Sequence, residues 1–537
     1  MKRGAMFTPP YQYCLPDAAV ADVALKALSE QFQITSEAEI AHSRIYYDSF
    51  DWRLFLGGGV LYSKPEGRKK ALVWKTDERA DPAETLLLGR GTPKFASDLP
   101  QGAMRDILSR LLEMRALIPQ VEIKGRVRLF KVLDEEQKTV LRYSVESCAS
   151  RAPGGGEYRE LQQRLGLLPV RGYNAILKRV KKILEQNMGL KPCSEGLLQA
   201  ALAATGRIPA DYSSKLNFQF AAEERAGSAA RRIHLHLLDT VERNLPGTLA
   251  NLDSEFLHDL RVAVRRARSA LTQIKGVFSQ EAVAAFNPRL AWIGQVTGPS
   301  RDLDVYLLDY DCYRSSLPAR FQADLDPLQK FLVAHRKSAY RSMVNKLKSK
   351  EFQMFIDAWR RFLNDSSVGS EGTPAADLPV KQVASKRIYR IYKRVLAERA
   401  GINDASPATA FHELRKSCKK LRYLIEFFQS LYPEARIQPL IKALKALLDN
   451  LGAFQDAEVQ ANKLREFAHQ MVKEAEVPAD TLLAMGMLVD GLLRRQQEAR
   501  KDFYSCFEVF AGGQSRMEFK AIFADASGSG KKGKRAA

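Results

Sequence analysis

The spacing of apolar residues along the chain changes near residue 205. Up to that point short runs rich in β-branched and aromatic residues, IAHSRIYYDSF, FLGGGVLYSK, KKALVWKT, VEIKGRVRLFKVL and TVLRYSVES, are separated by Gly, Pro or charged turns and predict strands. AAVADVALKALSEQF and GAMRDILSRLLEMRAL repeat their apolar residues at helical spacing. After a glycine-rich break at Pro153 to Gly156, YRELQQRLGLL and YNAILKRVKKILEQ read as two helices that close the region. The sum is a strand-rich α+β domain over 1–205. Residues 206–225, with Pro209, Asp211, Ser213 and Ser214, read as a linker. Beyond it the helical period dominates through 226–363, breaks at a polar linker over 364–379, and resumes over 380–512. Each of these two stretches is long enough for a four-helix bundle. Residues 525–537 are rich in Gly, Ser and Lys, too poor in apolar residues to order, and read as a flexible basic tail.

The two helical stretches are copies of one another. His258, Arg261, Arg265, Arg266 and Arg268 in FLHDLRVAVRRARSAL are matched by His412, Arg415, Lys419, Lys420 and Arg422 in FHELRKSCKKLRYLIEFF, at an offset of 154 residues from 258 to 412. Gly298 and Gly452, Asp302 and Asp456, and Asp304 and Glu458 continue the same offset without a gap. This is an internal duplication.

With about 100° between successive residues of a helix, Arg261, Arg265 and Arg268 form a stripe beside Leu257, Leu260, Val264, Ala267 and Leu271. His412, Arg415, Lys419 and Arg422 do the same beside Phe411, Leu414, Cys418, Leu421 and Ile425. The cations therefore border the face that each helix buries. Like charges four residues apart cost an isolated helix roughly 0.2 to 0.5 kcal/mol per pair, so something must compensate them. One candidate is internal, the repeated acids Asp302 and Asp456. The other is an external phosphate, which Arg meets with a planar fork and Lys with a point charge. His258 and His412 stand near the starts of these helices, where each donates to phosphate, bonds a neighbouring carboxylate or caps a loop. Neither has a second His or Cys one helical turn away, so no metal ligand set is expected.

Composition narrows the partner without choosing it. The net charge of +21 favours polyanions, and 45% apolar content over 537 residues supports two or three folded domains. The six cysteines form no CxxC pair and suggest neither a zinc cluster nor a disulfide framework, which fits a reducing cytoplasm. No signal-type apolar segment follows Lys2 and Arg3, and no stretch approaches membrane-spanning length, so a soluble intracellular protein is expected.

The motifs HxxRVxxRRxR and HxLRKxxKKLRY, each followed by G-x-x-RDLDV or G-x-x-QDAEV, resemble the CHAD domain over about 226 to 512. The resemblance implies two four-helix bundles related by a pseudo-two-fold, and binding of inorganic polyphosphate or its granules along a basic surface. It carries phosphate contact to His258, Arg261, Arg265, Arg266, Arg268, His412, Arg415, Lys419, Lys420 and Arg422. Arg232, Lys386 and Arg390, and Arg336, Arg341, Arg495 and Arg500, are cations of flanking helices that extend that surface. Arg301 is answered by Gln455 and Arg265 by Lys419, so the two halves need not bind equally.

The N-terminal region resembles a CYTH domain, the antiparallel β-tunnel fold of the triphosphate tunnel metalloenzymes, in RIYYDSFDWRLFLGGGVLY, Trp74-Lys75-Thr76 and LKPCSEGLLQA. That family hydrolyses triphosphate with an ExExK on its first strand, whose alternating carboxylates hold a divalent metal. The first strand here, Tyr11 to Leu15, has no carboxylate. Lys75, Arg126, Arg128 and Lys131 remain as cations for an anion. The expectation is a degenerate CYTH-like domain with no catalytic residue, metal or cofactor. Two alternatives stand beside polyphosphate binding. One is a metal-dependent triphosphatase that uses Glu37, Glu39, Asp48 or Glu122. The other is a nucleic-acid binder, disfavoured because only Tyr423 lies among the cations of the two basic helices as a stacking platform.

Overall fold

The computed structural model describes residues 9–77, 84–89, 91–365, 373–474 and 477–524. The basic tail over 525–537 and part of the linker over 364–379 lie outside these residues. The chain divides into two compact units, Met1–Ser213 and Ser214–Ala537.

The first unit is a single antiparallel sheet with helices packed on it. In chain order it comprises β1 (Tyr11–Cys14), α1 (Ala18–Ser29), β2 (Gln33–Asp48), α2 (Arg53–Leu56), β3 (Val60–Glu66), β4 (Lys69–Lys75), β5 (Glu84–Leu88) and α3 (Ala103–Leu112). It continues with β6 (Ile118–Leu133), β7 (Thr139–Arg151), β8 (Arg159–Glu160), β9 (Arg164–Pro169), α4 (Asn174–Lys182) and α5 (Leu197–Ala204). The strand order is β1-β9-β7-β6-β2-β3-β4-β5, with β8 paired to β7. Three clusters of buried side chains hold the helices against it. Leu28, Leu167 and Val180 belong to one, Ile123, Val73 and Leu202 to another, and Leu72, Leu61 and Leu108 to the third.

Two expectations for this unit need correction. YRELQQRLGLL is not a helix: it forms β8 and β9, and β9 pairs with both β1 and β7. Its leucines suit either period, and alternation decides: Leu165 and Leu167 are fully buried on one face. The chain also carries a disulfide, Cys14–Cys193, with a Cα–Cα distance of 5.1 Å. Cys193 follows β9 and α4 and returns beside β1, where its backbone N–H donates to the Gln12 carbonyl at 2.8 Å. A separation of 179 residues leaves no spacing pattern to read, which is why the sequence did not announce it.

The second unit is helical: α6 (Ala226–Leu249), α7 (Ser254–Gln273), α8 (Gln280–Leu308), α9 (Tyr310–Ser316), α10 (Asp326–Leu347) and α11 (Lys350–Asn364), then α12 (Val380–Ala400), α13 (Ala408–Phe428), α14 (Glu434–Glu474), α15 (Ala479–Ala511) and α16 (Gly513–Phe519). The duplication is visible in the boundaries, since α6, α7 and α8 start at 226, 254 and 280 and α12, α13 and α14 at 380, 408 and 434. The two halves do not keep separate interiors. One large core takes Leu237, Leu260 and Trp359 from the first half and Ile388, Leu414 and Phe503 from the second. A second core at the far ends of the long helices joins Leu303, Tyr306 and Leu328 to Leu464, Phe467 and Leu488. Leu216, Phe218 and Phe220, from the segment read as a linker, pack on the larger core.

Candidate functional site

The repeated basic helices α7 and α13 pack against each other. Each buries the apolar stripe that the sequence pattern singles out. Leu260 and Val264 are 0% and 2% exposed, and their counterparts Leu414 and Cys418 are both 0% exposed. The cationic stripe beside it is thereby held at the rim of the helix interface. Asp253 caps α7, accepting from the backbone N–H groups of Glu255 at 2.9 Å and Phe256 at 3.1 Å.

The two halves use their cations differently. In the first, Arg261 Nη1 donates to the Gly294 carbonyl at 2.9 Å and to Thr297 Oγ1 at 2.8 Å on α8. Burial, with the neighbouring Arg265 and Arg301, holds this guanidinium below its ordinary pKa, and Asp302 works against that shift. His258 Nδ1 lies 3.1 Å from Arg301 Nη2. In the second half Arg415 reaches Gln455 Oε1 at 3.4 Å and Asp456 Oδ1 at 3.3 Å. Arg415, Lys419, Arg422 and Tyr423 line a cavity of about 280 Å³ between α13 and α14, closed by Asp449, Gly452 and Asp456. The repeated glycines serve these arginines. A Cβ on Gly452 would lie 3.3 Å from Arg415 Nη2, and one on Gly298 would lie 3.7 Å from Arg261 Nη1.

Lys419 is half-buried among cations. Burial first, then Arg415, Arg265 and Arg422, pull its pKa down from 10.5 to about 8, against Asp456 which raises it. Arg265 is the residue equivalent to Lys419 in the other half, so the two copies of this position share one electrostatic neighbourhood. Arg265 is exposed. Glu426 ties the halves together, accepting from Arg422 on its own helix and from Arg266 of α7 at 3.5 Å. Arg266 also donates to the Ser214 carbonyl at 3.0 Å, and Arg268 to Asn287 Oδ1 at 3.2 Å. His412 is exposed, and Lys420 is held below its ordinary pKa by burial and by Arg394 and Lys416.

Of the flanking cations, three are committed internally. Arg232 pairs with Glu224 at 2.9 Å, Arg336 with Asp304 at 2.8 Å, and Arg500 donates to the carbonyls of Asp404 and Ser406. Lys386, Arg390, Arg341 and Arg495 are exposed. Tyr423 lies among the cations as expected, whereas the partners of Arg261 on α8, and Asp449 of the cavity, were not foreseen. Only a helix crossing brings them there.

Residues 232–465 match the family model of the CHAD domain. That segment is a CHAD domain. An uncharacterised protein of Mycobacterium tuberculosis, present in two strains, is 24% identical over 180 residues, which span 31% of this chain and 33% of that protein. The match therefore spans about a third of the length of the curated relatives. The CHAD domain of the plant Ricinus communis is similar at 23% identity and a TM-score of 0.46, over 57% of this chain and 95% of that one. HpAC1 from Hippeastrum, described as having a dominant triphosphatase activity, is similar at 11% identity and a TM-score of 0.26, over 38% of this chain and 98% of that one.

In the sheet unit the acids weighed for a triphosphatase are spread over separate structural tasks. Glu37 pairs with Lys131 at 3.2 Å and Arg142 at 3.3 Å, Glu39 with Arg126 at 3.6 Å, and Glu122 with Arg151 at 2.7 Å and the Tyr158 hydroxyl at 2.7 Å. Asp48 is buried and accepts from the backbone N–H groups of Ser49, Leu54 and Phe55 at 2.7, 2.9 and 2.8 Å, and burial pushes its pKa up to about 6. The first strand offers Tyr11, Gln12, Tyr13 and Cys14. That donor set does not fit the hard divalent metal of a triphosphate tunnel. Lys75 is buried, while Arg128 lies 3.5 Å from Asp22. Among the described residues no helix is long and apolar enough to cross a membrane.

Proposed function

We propose that the CHAD domain binds inorganic polyphosphate, without hydrolysing it, along the rim where α7 meets α13. The observation that carries this reading is the shared neighbourhood of Arg265 and Lys419. Burial first, then Arg415 and the equivalent cation Arg265 of the other half, depress the Lys419 ammonium. Such crowding costs the free protein stability and is relieved by an anion that bridges both. A linear polyphosphate offers a charge at every phosphorus and can run from one half to the other, which a single small anion cannot. Arg261, Arg265, Arg266, Arg268 and His258 on one side, with Arg415, Lys419, Lys420, Arg422 and His412 on the other, are assigned as the contacts. Lys386, Arg390, Arg341 and Arg495 extend the track. Association with polyphosphate granules follows from multivalent contact of this kind, and the sheet domain is an accessory module in this reading.

Replacing Arg261, Arg265, Arg415 and Arg422 together by Ala should abolish most of the affinity measured with long-chain polyphosphate at moderate salt. Affinity should fall with salt by about −0.7 in logarithmic slope per contact, if the polymer behaves as a single-stranded polyanion. A quadruple variant that is folded and binds like the parent refutes the assignment. Competition against single-stranded DNA at matched charge separates phosphate recognition from base stacking on Tyr423, and DNA winning would make this a nucleic-acid binder.

A further inference from the structure

The middle of the sheet domain holds a group of side chains that the polyphosphate reading does not use. His42, Gly125 and Cys148 face one another across three adjacent strands, because His42 of β2 is in register with Gly125 of β6, and Gly125 with Cys148 of β7. Glu146, two residues before Cys148, projects from the same face of β7. The imidazole Nε2 lies 3.1 Å from Glu146 Oε1 and 3.7 Å from Cys148 Sγ, and the three donor atoms all lie within 4.8 Å of one another.

We propose that His42, Glu146 and Cys148 bind one borderline transition-metal ion of the zinc class, with a fourth coordination position open to the cavity beside them. Tetrahedral zinc, with Zn–N of about 2.0 to 2.1 Å and Zn–S of about 2.3 Å, sets the N and S donors about 3.5 Å apart and the N and O donors about 3.3 Å apart. The observed N–S and N–O separations of 3.7 and 3.1 Å each lie within a few tenths of an ångström of these values, and the remaining pair, Cys148 Sγ and the Glu146 carboxylate, closes from within 4.8 Å.

A second observation is steric. A Cβ on Gly125 would lie 2.6 Å from Cys148 Sγ and 2.9 Å from His42 Nε2, so the central strand is bare where these donor atoms converge. Any other residue there would push the donors out of position. A third is the setting. His42 is 5% exposed, its Nε2 meets Glu146 and its Nδ1 has no partner among the described residues, so a bound metal would displace the proton from Nε2 and leave the ring protonated at Nδ1. Arg44 Nη2 lies 3.9 Å from Glu146 Oε1 and supports a negative charge on that carboxylate.

The ligand set selects the metal. One imidazole, one thiolate and one carboxylate suit Zn²⁺ or Co²⁺ and not Mg²⁺ or Ca²⁺, which take oxygen ligands. Three protein ligands leave one position for water or an incoming group. The cavity that His42 and Cys148 line is about 1080 Å³ and also carries Lys64, Lys124 and Arg126, so an anionic ligand is favoured there. This site shares no residue with the CHAD surface and stands or falls independently of it.

The test is Co²⁺ titration of the untagged full-length protein. One equivalent should bind and produce the intense ultraviolet absorption of a thiolate bonded to cobalt together with visible bands of a tetrahedral ion, and Zn²⁺ but not Mg²⁺ should abolish both. Cys148→Ser should remove the ultraviolet band and weaken binding by more than about tenfold, the least that losing even an outer-shell partner costs. Should that variant fail to fold, X-ray absorption of the zinc-loaded parent protein decides. One sulfur with nitrogen or oxygen neighbours supports the site, and no sulfur or several sulfurs overturns it. Unchanged cobalt spectra in a folded Cys148→Ser protein would also overturn it.

Discussion

Lys419 gives the sharpest handle on the CHAD surface, because its charge is adjustable near neutral pH while its arginine neighbours stay charged. With a pKa of about 8 in the free protein, it is about nine-tenths protonated at pH 7 and about one-tenth at pH 9. If the ammonium contacts phosphate, binding at pH 9 must first recover a proton. Affinity should then fall by up to about tenfold between pH 7 and pH 9, equivalent to ~1.4 kcal/mol. The salt slope should shrink by about 0.7 over the same interval, since one contact is lost. Lys419→Arg keeps a cation through this range and should bind equally well at both values. Isothermal titration calorimetry with long-chain polyphosphate in buffers of different ionisation enthalpy reads both affinity and proton uptake, and about three-quarters of a proton per site taken up near pH 8.5 is expected for the parent. The sign follows from the direction of the shift. A lysine held below 10.5 in the free protein is released toward its ordinary value when an anion arrives, so protons are taken up and not shed. Equal pH dependence in the parent and Lys419→Arg proteins would refute the contact.

Other measurements probe separate parts of the structure. Asp456→Asn frees Arg415 from a partner at 3.3 Å and should tighten polyphosphate binding several-fold at low salt, the gain fading at high salt. Gly452→Val, whose added atoms meet the Arg415 guanidinium, should weaken binding, whereas Gly452→Ala, compared with it by calorimetry, should bind nearly as the parent does and gain up to ~1 kcal/mol of stability from its helix propensity. Thiol titration of the denatured, unreduced protein should find four reactive groups among the six cysteines, and reduction should lower stability by about 3 to 5 kcal/mol for so long a closed loop. Finding six thiols in protein purified without reductant would remove the Cys14–Cys193 bond from the account.

Much of the helical domain was legible because a duplication is a statement about sequence alone. The offset between His258 and His412 reappears in the starts of α6 and α12, and the apolar stripe of α7 is buried as its period demands. What each cation does was not legible. Arg261 is satisfied by a carbonyl and a hydroxyl of α8, while Arg415 meets a carboxylate of α14, although the two arginines occupy equivalent positions. In the sheet domain most strands could be read from their β-branched residues. The segment over β8 and β9 could not, because its leucines and glutamines favour a helix in isolation and only pairing with β1 and β7 overrules them.

The sequence by itself determined the two-part architecture, the repeat and the identity of the basic stripes, since these depend on period and composition, which are local. Only the tertiary structure decided which cations meet each other and which are already answered. The neighbourhood of Arg265 and Lys419, the bridge through Glu426, and the meeting of His42, Glu146 and Cys148 over Gly125 all join positions far apart in the chain. Electrostatic and coordination energies fall off over a few ångströms, so they are set by helix crossings and strand register and not by order along the chain.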